Sequence, residues 1–473
     1  MTFGPWTWSL IQVVGKQGVS VLIFIVLSRL LGPKDFGLLG MAISWIGFIY
    51  AFSELGFSAA IIQKKEIEEK HLNTTFLINV ALGFVLFIVG IIISIPAAAF
   101  FKTPEVRPII IVLSVSFLIN SFSLTQMAIA QRELKFKKLA IRDLAASIIG
   151  GIAGIIIAFL GYGVWSLVVQ MLVTGIISSA LLWQLSEWKP SFRYVGLDCV
   201  KELWPYSSKI FYFNLLKYFA QNTDKLLIGY FLGSIALGLY TFTFKIVVFP
   251  IMIIVGAIGN YLFPKYSRIQ ENIPSIKSSY LHINRLLGTF IAPTLFLILI
   301  SSSYLVPWLF GEKWNGALPL FPIMAVLAFL QSIISPVGQL LKAANRPGWL
   351  FNWSIFITVL ASLLMLLGVP YGIEGVAIGL TIAYLLGVVI NMRILKKIIH
   401  INRNDIIDVY AKKLIPIIII AVIIYFTELT KIFIKETVIL LFAITSIYLL
   451  TFYRINKKEI SMLYLETRKI MGI

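Results

Sequence analysis

Residues 106–142 read VRPIIIVLSVSFLINSFSLTQMAIAQRELKFKKLAIR, a largely apolar run that is followed by a basic cluster. The run 106–131 is long enough to cross a bilayer, because a membrane helix needs about 20 mainly apolar residues. The cluster contains Arg132, Lys135, Lys137, Lys138 and Arg142. Loops rich in Lys and Arg stay on the cytoplasmic side of a membrane. This stretch therefore predicts a membrane helix that ends at the cytoplasmic surface.

The same alternation runs through the whole chain. Of its 40 Lys and Arg residues, 29 fall in seven alternate segments that connect or follow apolar runs. The intervening connections contain only Arg29, Lys34, Lys102, Arg107, Lys313, Lys431 and Lys435. This asymmetry predicts a multi-pass membrane protein with its Lys-rich side and both termini in the cytoplasm.

Composition supports this class of protein and excludes others. The chain is 59% hydrophobic and 13% charged, with a mean hydropathy of +0.93, far from the usage of a soluble domain. Its net charge of +19 is dispersed over short loops, so we expect contact with anionic lipid head groups and no nucleic-acid partner. The single cysteine, Cys199, excludes an internal disulfide. We expect no metal and no cofactor.

Fourteen apolar segments are long enough to span the membrane as helices, which predicts an all-α fold. Their outer connections are short turns that contain glycine, such as Leu31-Gly32-Pro33 and Leu232-Gly233-Ser234, and these leave no room for an extracellular domain. The predicted spans are 6–31, 37–62, 73–101, 106–131, 143–161, 163–185, 206–232, 236–263, 284–308, 317–342, 349–368, 373–395, 412–428 and 434–453.

An internal repeat relates two halves of the chain. Leu31-Gly32 with Gly37-Leu38 recurs, 201 residues later, as Leu232-Gly233 with Gly238-Leu239. At an offset of 209, Tyr162-Gly163-Val164 matches Tyr371-Gly372-Ile373. The shared order of these matches indicates a duplication.

The repeat predicts how the chain is divided. We expect a six-helix lobe at 1–200, a pseudo-symmetric second lobe at 201–400, and a terminal helix pair with a cytoplasmic tail at 401–473. An even number of spans gives both lobes the same orientation, with a cavity between them. That is a transporter design, and it predicts alternating access.

Ionisable residues inside membrane helices are informative, because each costs about 2.5 to 3.5 kcal/mol at the bilayer centre on insertion scales. Lys16 lies inside the first span and Glu54 inside the second. At about 1.5 Å per residue, both are roughly 12 to 15 Å from the cytoplasmic surface and could form a pair.

The seventh span has a polar face, and the eighth span adds Lys245 at a similar depth. The face is formed by Lys217, Gln221 and Asp224, with Asn222 and Lys225 on the neighbouring stripe. Adding the offset of 201 to Lys16 gives Lys217, so the two lobes offer equivalent lysines.

A matched pair of cations beside a shared cavity suits a diphosphate group, because Lys binds phosphate as a compact charge. The alternative is structural. Lys16 would then pair with Glu54, and Lys217 or Lys245 with Asp224, simply to hold helices together. Arg29, near an outer helix end, is expected to extend toward the interface, and a direct role for it is a secondary hypothesis.

Several motifs resemble bacterial polysaccharide flippases of the multidrug/oligosaccharidyl-lipid/polysaccharide exporter superfamily, and in particular the colanic-acid-type lipopolysaccharide and exopolysaccharide exporters. The resemblance spans roughly residues 5 to 400. Its motifs are LSRLLGPKDFG at 27–37, ELGFSAA at 54–60, QKK at 63–65, NTDKLLIG at 222–229, LGLY at 237–240 and AANRP at 343–347.

This resemblance implies outward flipping of an undecaprenyl-diphosphate-linked oligosaccharide across the cytoplasmic membrane. In the superfamily, spans one, two, seven and eight line the cavity, where the residues named above lie. Glu54 and Asp224 are then candidate sites for a coupling H⁺ or Na⁺.

Three other functions compete with this interpretation. A lipid II flippase and a cation-coupled drug exporter would share the fold, and a cavity with more carboxylates and fewer lysines would favour the drug exporter. A membrane enzyme of glycan assembly would need a catalytic constellation, but no histidine lies in a span and no outer loop is long. We therefore expect no catalytic residues.

Overall fold

The computed structural model describes residues 5–53, 61–62, 64, 66–191, 196–269, 272–344, 347–402, 404–405 and 409. Within these ranges it leaves out the side chains of 5–11, 13–14, 197–217, 219–220, 257, 260–261, 263–264, 347 and 350. The predicted terminal helix pair and Glu54 lie outside the described residues.

Every regular element in these ranges is helical, which confirms the all-α prediction. The helices are α1 Pro5–Leu30, α2 Pro33–Ser53, α3 Glu69–Phe100, α4 Val106–Ser121, α5 Leu124–Arg132, α6 Phe136–Phe159, α7 Trp165–Leu185, α8 Leu197–Arg268, α9 Ile273–Leu305, α10 Leu320–Ala343, α11 Pro347–Gly368 and α12 Gly372–Ile399. Short π and 3₁₀ turns cover Val306–Phe310, Glu312–Ala317 and Val369–Tyr371.

Eight helical stretches among the described residues are long and apolar enough to cross a membrane, or nine when a bent pair counts as one span. Among the longer ones are Gln221–Gly256, of 36 residues, and Phe351–Ile399, of 49 residues. Each contains a glycine with positive φ, Gly233 at 81° and Gly372 at 72°, where the chain can turn back. The total of fourteen spans stays a prediction.

The structure revises two predicted boundaries. The fourth span, predicted as one helix, is α4 and α5 with a bend of 45° between them. The fifth helix begins at Phe136, seven residues before the predicted 143. The basic residues Lys137 and Lys138 belong to its first turn, because a helix can continue past the apolar run while its charged ends reach water.

The helices form two compact units. One contains the described residues of Met1–Thr241 together with Leu309–Trp314, and the other contains those of Phe242–Trp308 and Asn315–Ile473. The boundaries of these units are set by packing and do not coincide with those of the sequence repeat. The predicted lobes at 1–200 and 201–400 therefore stay a prediction.

In the first unit, the two repeated corners pack on each other through glycine. A Cβ atom on Gly37 would overlap the carbonyl group of Ser234, and one on Gly238 would overlap the carbonyl group of Pro33. The repeat offset of 201 converts Pro33 into position 234 and Gly37 into position 238. The two contacts are therefore equivalent, and we call these four residues the glycine crossing.

Close backbone approach of this kind is how membrane helices associate, because lipid removes the hydrophobic drive between them and small residues let the backbones touch. Gly40 continues the contact one turn further along α2, facing Leu237. The internal repeat, seen in sequence as a pattern, is thus a physical contact between its two copies.

The segment Leu309–Trp314 caps the end of α1. The Trp314 indole donates a hydrogen bond to the Ser28 carbonyl at 2.8 Å, and the Lys313 ammonium donates to the Arg29 carbonyl at 2.9 Å. These are two of the four carbonyls that a helix leaves unbonded at its C-terminus. Trp314 is fully buried, and its ring meets Phe36 edge-on at 5.4 Å.

Burial lowers the pKa of Lys313 from its ordinary value, and the nearby Arg29 adds to this, although Asp35 opposes it. Lys313 still suits its place, because a cation is favourable at the C-terminal, negative end of a helix.

In the second unit, α11 and α12 pack closely through Gly368, Gly375 and Gly379, at each of which a Cβ atom would overlap backbone of the facing helix. The chain beyond α12 is anchored by an ion pair between Lys277 and Asp405 at 2.7 Å. The hydrogen bond from Lys277 lowers the pKa of Asp405 below its ordinary value.

We predict that Gly37→Ala and Gly238→Ala each sharply reduce stability, by more than about 2 kcal/mol, since the added methyl overlaps backbone that cannot move aside cheaply. Thermal unfolding in detergent and abundance in the membrane would measure this. Gly18→Ala is the matched control, because a Cβ there meets nothing within 4 Å. Normal stability of both crossing variants would contradict the assigned contact.

Candidate functional site

Lys16 lies on α1 beside Asp143 of α6. Its ammonium is 3.8 Å from the Asp143 carboxylate, and 52% of the Lys16 side chain is exposed. Gln12, one turn earlier on α1, donates a hydrogen bond from its amide to the same carboxylate oxygen at 2.8 Å. Spacing by four residues puts Gln12 and Lys16 on one helix face, so both reach α6.

The Asp143 carboxylate already has a buried cationic partner. Arg142 donates from Nε to Asp143 Oδ1 at 2.9 Å, and Nη2 of the same guanidinium contacts that oxygen too. Both side chains are less than a tenth exposed. Among the described residues, one carboxylate therefore faces two cations, and the cluster has one positive charge in excess. The excess charge is on Lys16, since Arg142 is the partner that is buried.

Sequence reasoning missed Asp143 and Arg142. It placed Arg142 in a cytoplasmic loop and Asp143 at the first position of the fifth span. The structure starts α6 at Phe136, which puts both residues two turns inside a helix. An adjacent Arg-Asp pair at the start of an apolar run was the available signal, because a buried carboxylate needs a cation.

A second carboxylate, Asp224, lies on α8. Its Oδ2 accepts a hydrogen bond from the Tyr240 hydroxyl at 2.7 Å, and its Oδ1 accepts from the Lys225 backbone N–H at 2.8 Å. Tyr240 is fully buried and Asp224 is half-buried. Tyr240 lies beyond the turn at Gly233, so the bond joins the seventh predicted span to the eighth.

Polar contacts extend from here to α2. Lys225 donates from its ammonium to Asn222 Oδ1 at 3.0 Å, and Asn222 donates from its amide to the Tyr218 carbonyl at 3.0 Å. The Tyr218 hydroxyl donates in turn to the Ser44 carbonyl of α2. Of the predicted polar face, Asn222, Asp224 and Lys225 are therefore connected by hydrogen bonds, and Asn222 positions Lys225.

The other predicted site residues are placed as follows. Gln221 is exposed on α8, and Lys245 is exposed and belongs to the second unit. Arg29 is exposed, and its guanidinium packs against Gly311. The Lys217 side chain and the whole of Glu54 lie outside the described residues, so their predicted roles and pairings stay predictions.

In the part of the chain that the structure describes, no three His, Cys, Asp or Glu side chains are grouped so that they could hold a metal ion. The two clusters instead place an exposed ammonium at Lys16 and a half-buried, hydrogen-bonded carboxylate at Asp224.

Proteins of related sequence support the resemblance. The chain is 27% identical over 390 residues to the lipopolysaccharide biosynthesis protein WzxC of Escherichia coli, covering 81% of this chain and 78% of that protein. It is 21% identical over 355 residues to the succinoglycan biosynthesis transport protein ExoT of Rhizobium meliloti, covering 74% and 71% of the two chains.

Solved structures show the same fold. The lipid II flippase MurJ in an inward closed conformation matches with a TM-score of 0.73 at 15% identity, covering 94% of this chain and 98% of that one. This likeness concerns the fold alone.

The model of one protein family, described as polysaccharide biosynthesis protein, matches residues 26–319. The match covers more than half of the chain and confirms the resemblance that the sequence motifs predicted. The chain therefore belongs to this family of polysaccharide biosynthesis proteins.

Proposed function

We propose that the chain is a flippase that exports a lipid-linked oligosaccharide across the cytoplasmic membrane by alternating access, for the synthesis of a surface polysaccharide. Family membership, relatives named for polysaccharide biosynthesis and transport, and a fold shared with MurJ support this proposal. The chain acts as a transporter and not as an enzyme.

The observation that carries the proposal is the excess positive charge at Lys16. A half-exposed ammonium on a membrane helix is costly unless it faces water or an anion. Asp143 is shared with Arg142 and does not neutralise Lys16 fully. Such a cation suits the diphosphate of an undecaprenyl-linked glycan. By the repeat, Lys217 supplies the second cation, and Gln221, Asn222 and Lys225 of the same unit complete the polar wall. The predicted contribution of Lys245 stays a prediction.

We predict that Lys16→Ala and Lys217→Ala abolish glycan export while the protein still reaches the membrane. Each removes one of the two charges that bind the diphosphate. Surface polysaccharide and protein abundance would be measured in the same cells. Lys396→Ala is the control, because this lysine is exposed at the end of α12. Wild-type export by both variants at normal abundance would reject the diphosphate site.

Asp224 is the better placed carboxylate for ion coupling, and its surroundings favour H⁺ over Na⁺. The groups bonded to it are donors, the Tyr240 hydroxyl and the Lys225 N–H. A hard cation such as Na⁺ needs several oxygen ligands around it, whereas a proton needs only one carboxylate oxygen.

We predict that Asp224→Asn stops export at normal abundance, because the amide fills the same space and cannot exchange a proton. Tyr240→Phe should only reduce export, since one hydrogen bond to a charged group contributes about 1.5 to 3 kcal/mol. The wild type should lose export when a protonophore is added and keep it without Na⁺. Full export by the Asp224 variant, or a strict need for Na⁺, would contradict proton coupling.

Alternating access requires that a contact between helix ends on the outer side of the membrane opens during transport. The glycine crossing is the candidate for this contact. It joins the predicted outer ends of the first and second spans to those of the seventh and eighth. Its described contacts are close backbone approaches, of Gly37 to the Ser234 carbonyl and of Gly238 to the Pro33 carbonyl.

We predict that cysteines at Gly40 and Leu237, in a Cys199→Ser background, form a disulfide that stops export until it is reduced. A Cβ on Gly40 would lie 3.4 Å from Leu237 Cγ, where a cysteine sulfur would lie, so the bond needs little movement. The single cysteine variants are the controls. Undiminished export by the oxidised pair would show that this contact does not open during transport.

A further inference from the structure

The two oxygens of the Asp143 carboxylate have different partners. Oδ1 accepts hydrogen bonds from Nε of Arg142 at 2.9 Å and from Nη2 of the same guanidinium. Oδ2 accepts a hydrogen bond from the Gln12 amide at 2.8 Å, and the Lys16 ammonium is 3.8 Å from that same oxygen. Arg142 therefore holds one oxygen, whereas Gln12 and Lys16 share the other.

The two cations are held with unequal firmness. The Arg142 side chain is 7% exposed, and its Nη1 also lies 3.1 Å from the Met127 sulfur on α5, so the guanidinium is fixed from two sides. The Lys16 side chain is half exposed, and its distance of 3.8 Å from Oδ2 is too long for a hydrogen bond. Attraction without a hydrogen bond allows the Lys16 ammonium to rotate toward another anion.

The backbones beside this ion pair are closely packed. A Cβ atom on Gly15 of α1 would lie 3.0 Å from a methyl carbon of Leu144 on α6. These two residues are the sequence neighbours of Lys16 and Asp143, so α1 and α6 touch at the level of the ion pair. The flexible four-carbon stem of lysine is therefore the part that can move.

We propose that Asp143 is a positioning residue for Lys16. In the empty transporter it holds the ammonium by charge, and it yields the ammonium to phosphate oxygens when an anionic lipid head group binds. Gln12 and Arg142 then keep both carboxylate oxygens hydrogen-bonded, so no buried acceptor is left unpaired. The inference deepens the proposed function and rests on it for the identity of the anion, a diphosphate.

A carboxylate that competes for Lys16 must weaken anion binding, which predicts variants with opposite effects. The double variant Arg142→Gln/Asp143→Asn removes the competitor without leaving a buried charge unpaired, so Lys16 should bind an anion more tightly. Gln12→Leu keeps every charge but removes the amide that shares Oδ2. The ammonium should then be held more closely by Asp143 and bind an anion more weakly. Asp143→Glu keeps the competing charge and should resemble the wild type.

Protection of the Lys16 amine by inorganic pyrophosphate tests this role on the full chain in detergent. Lysines are reductively methylated with formaldehyde and dimethylamine–borane, and peptide mass spectrometry follows Lys16 at increasing pyrophosphate concentration. The concentration that halves the methylation rate should be several-fold lower in the double variant than in the wild type, and several-fold higher in Gln12→Leu. Lys396, exposed at the end of α12, is the control within each sample and should not be protected.

The outcomes separate this role from the proposed function. Equal half-protection concentrations in all variants would overturn the role of Asp143 while leaving a diphosphate site at Lys16. Absence of protection in every protein, the wild type included, would reject the diphosphate site itself and with it this proposal. A shift in the same direction in both variants would indicate lost packing and would overturn the competition. If the double variant does not fold, Gln12→Leu decides the test, because it changes no charge.

Discussion

The backbone contact at the glycine crossing is the constraint on which the first unit depends. Two carbonyls, at Pro33 and Ser234, occupy the space where side chains would be at Gly238 and Gly37. The two contacts are related by the internal repeat. The same kind of residue, a glycine at equivalent positions, therefore lets the two duplicated corners pack with their backbones in contact. The capping of α1 by Lys313 and Trp314 then fixes the neighbouring helix end. Van der Waals contact can be made and broken without leaving charges unpaired, which suits a moving part.

The carboxylates of Asp143 and Asp224 follow a different principle, because each accepts hydrogen bonds from more than one donor. Asp143 binds Arg142, Gln12 and Lys16, while Asp224 binds Tyr240 and a backbone N–H. Among the described side chains, the first cluster contains an excess cation, and no ammonium or guanidinium is seen to contact the carboxylate of the second. This difference is the basis on which we propose separate roles for the two clusters.

The polar groups of the fourth span show how the first unit accommodates a broken helix. The two helices meet at a bend of 45°, and the neighbouring α3 contacts them with Asn79 and Gly83 in successive turns. Gly83 lets α3 approach Ser121 closely, whereas Asn79 donates a hydrogen bond to Thr125 in the first turn of α5. Small and polar residues on one helix thus compensate for an irregularity in the next.

The sequence by itself determined the helical membrane fold, the family and the repeat, because hydropathy, basic loops and glycine spacing are local or periodic signals. It also placed Asp224 on a polar helical face, with Asn222 and Lys225 on the neighbouring stripe, since helical geometry alone brings them together. Only the tertiary structure decided that Lys16 contacts Asp143, 127 residues away, and that Tyr240 binds Asp224. Only the structure shows that Gly37 lies against Ser234 and that Gly238 lies against Pro33. Helix spacing sets which side chains share a face, but which faces meet depends on packing between distant helices.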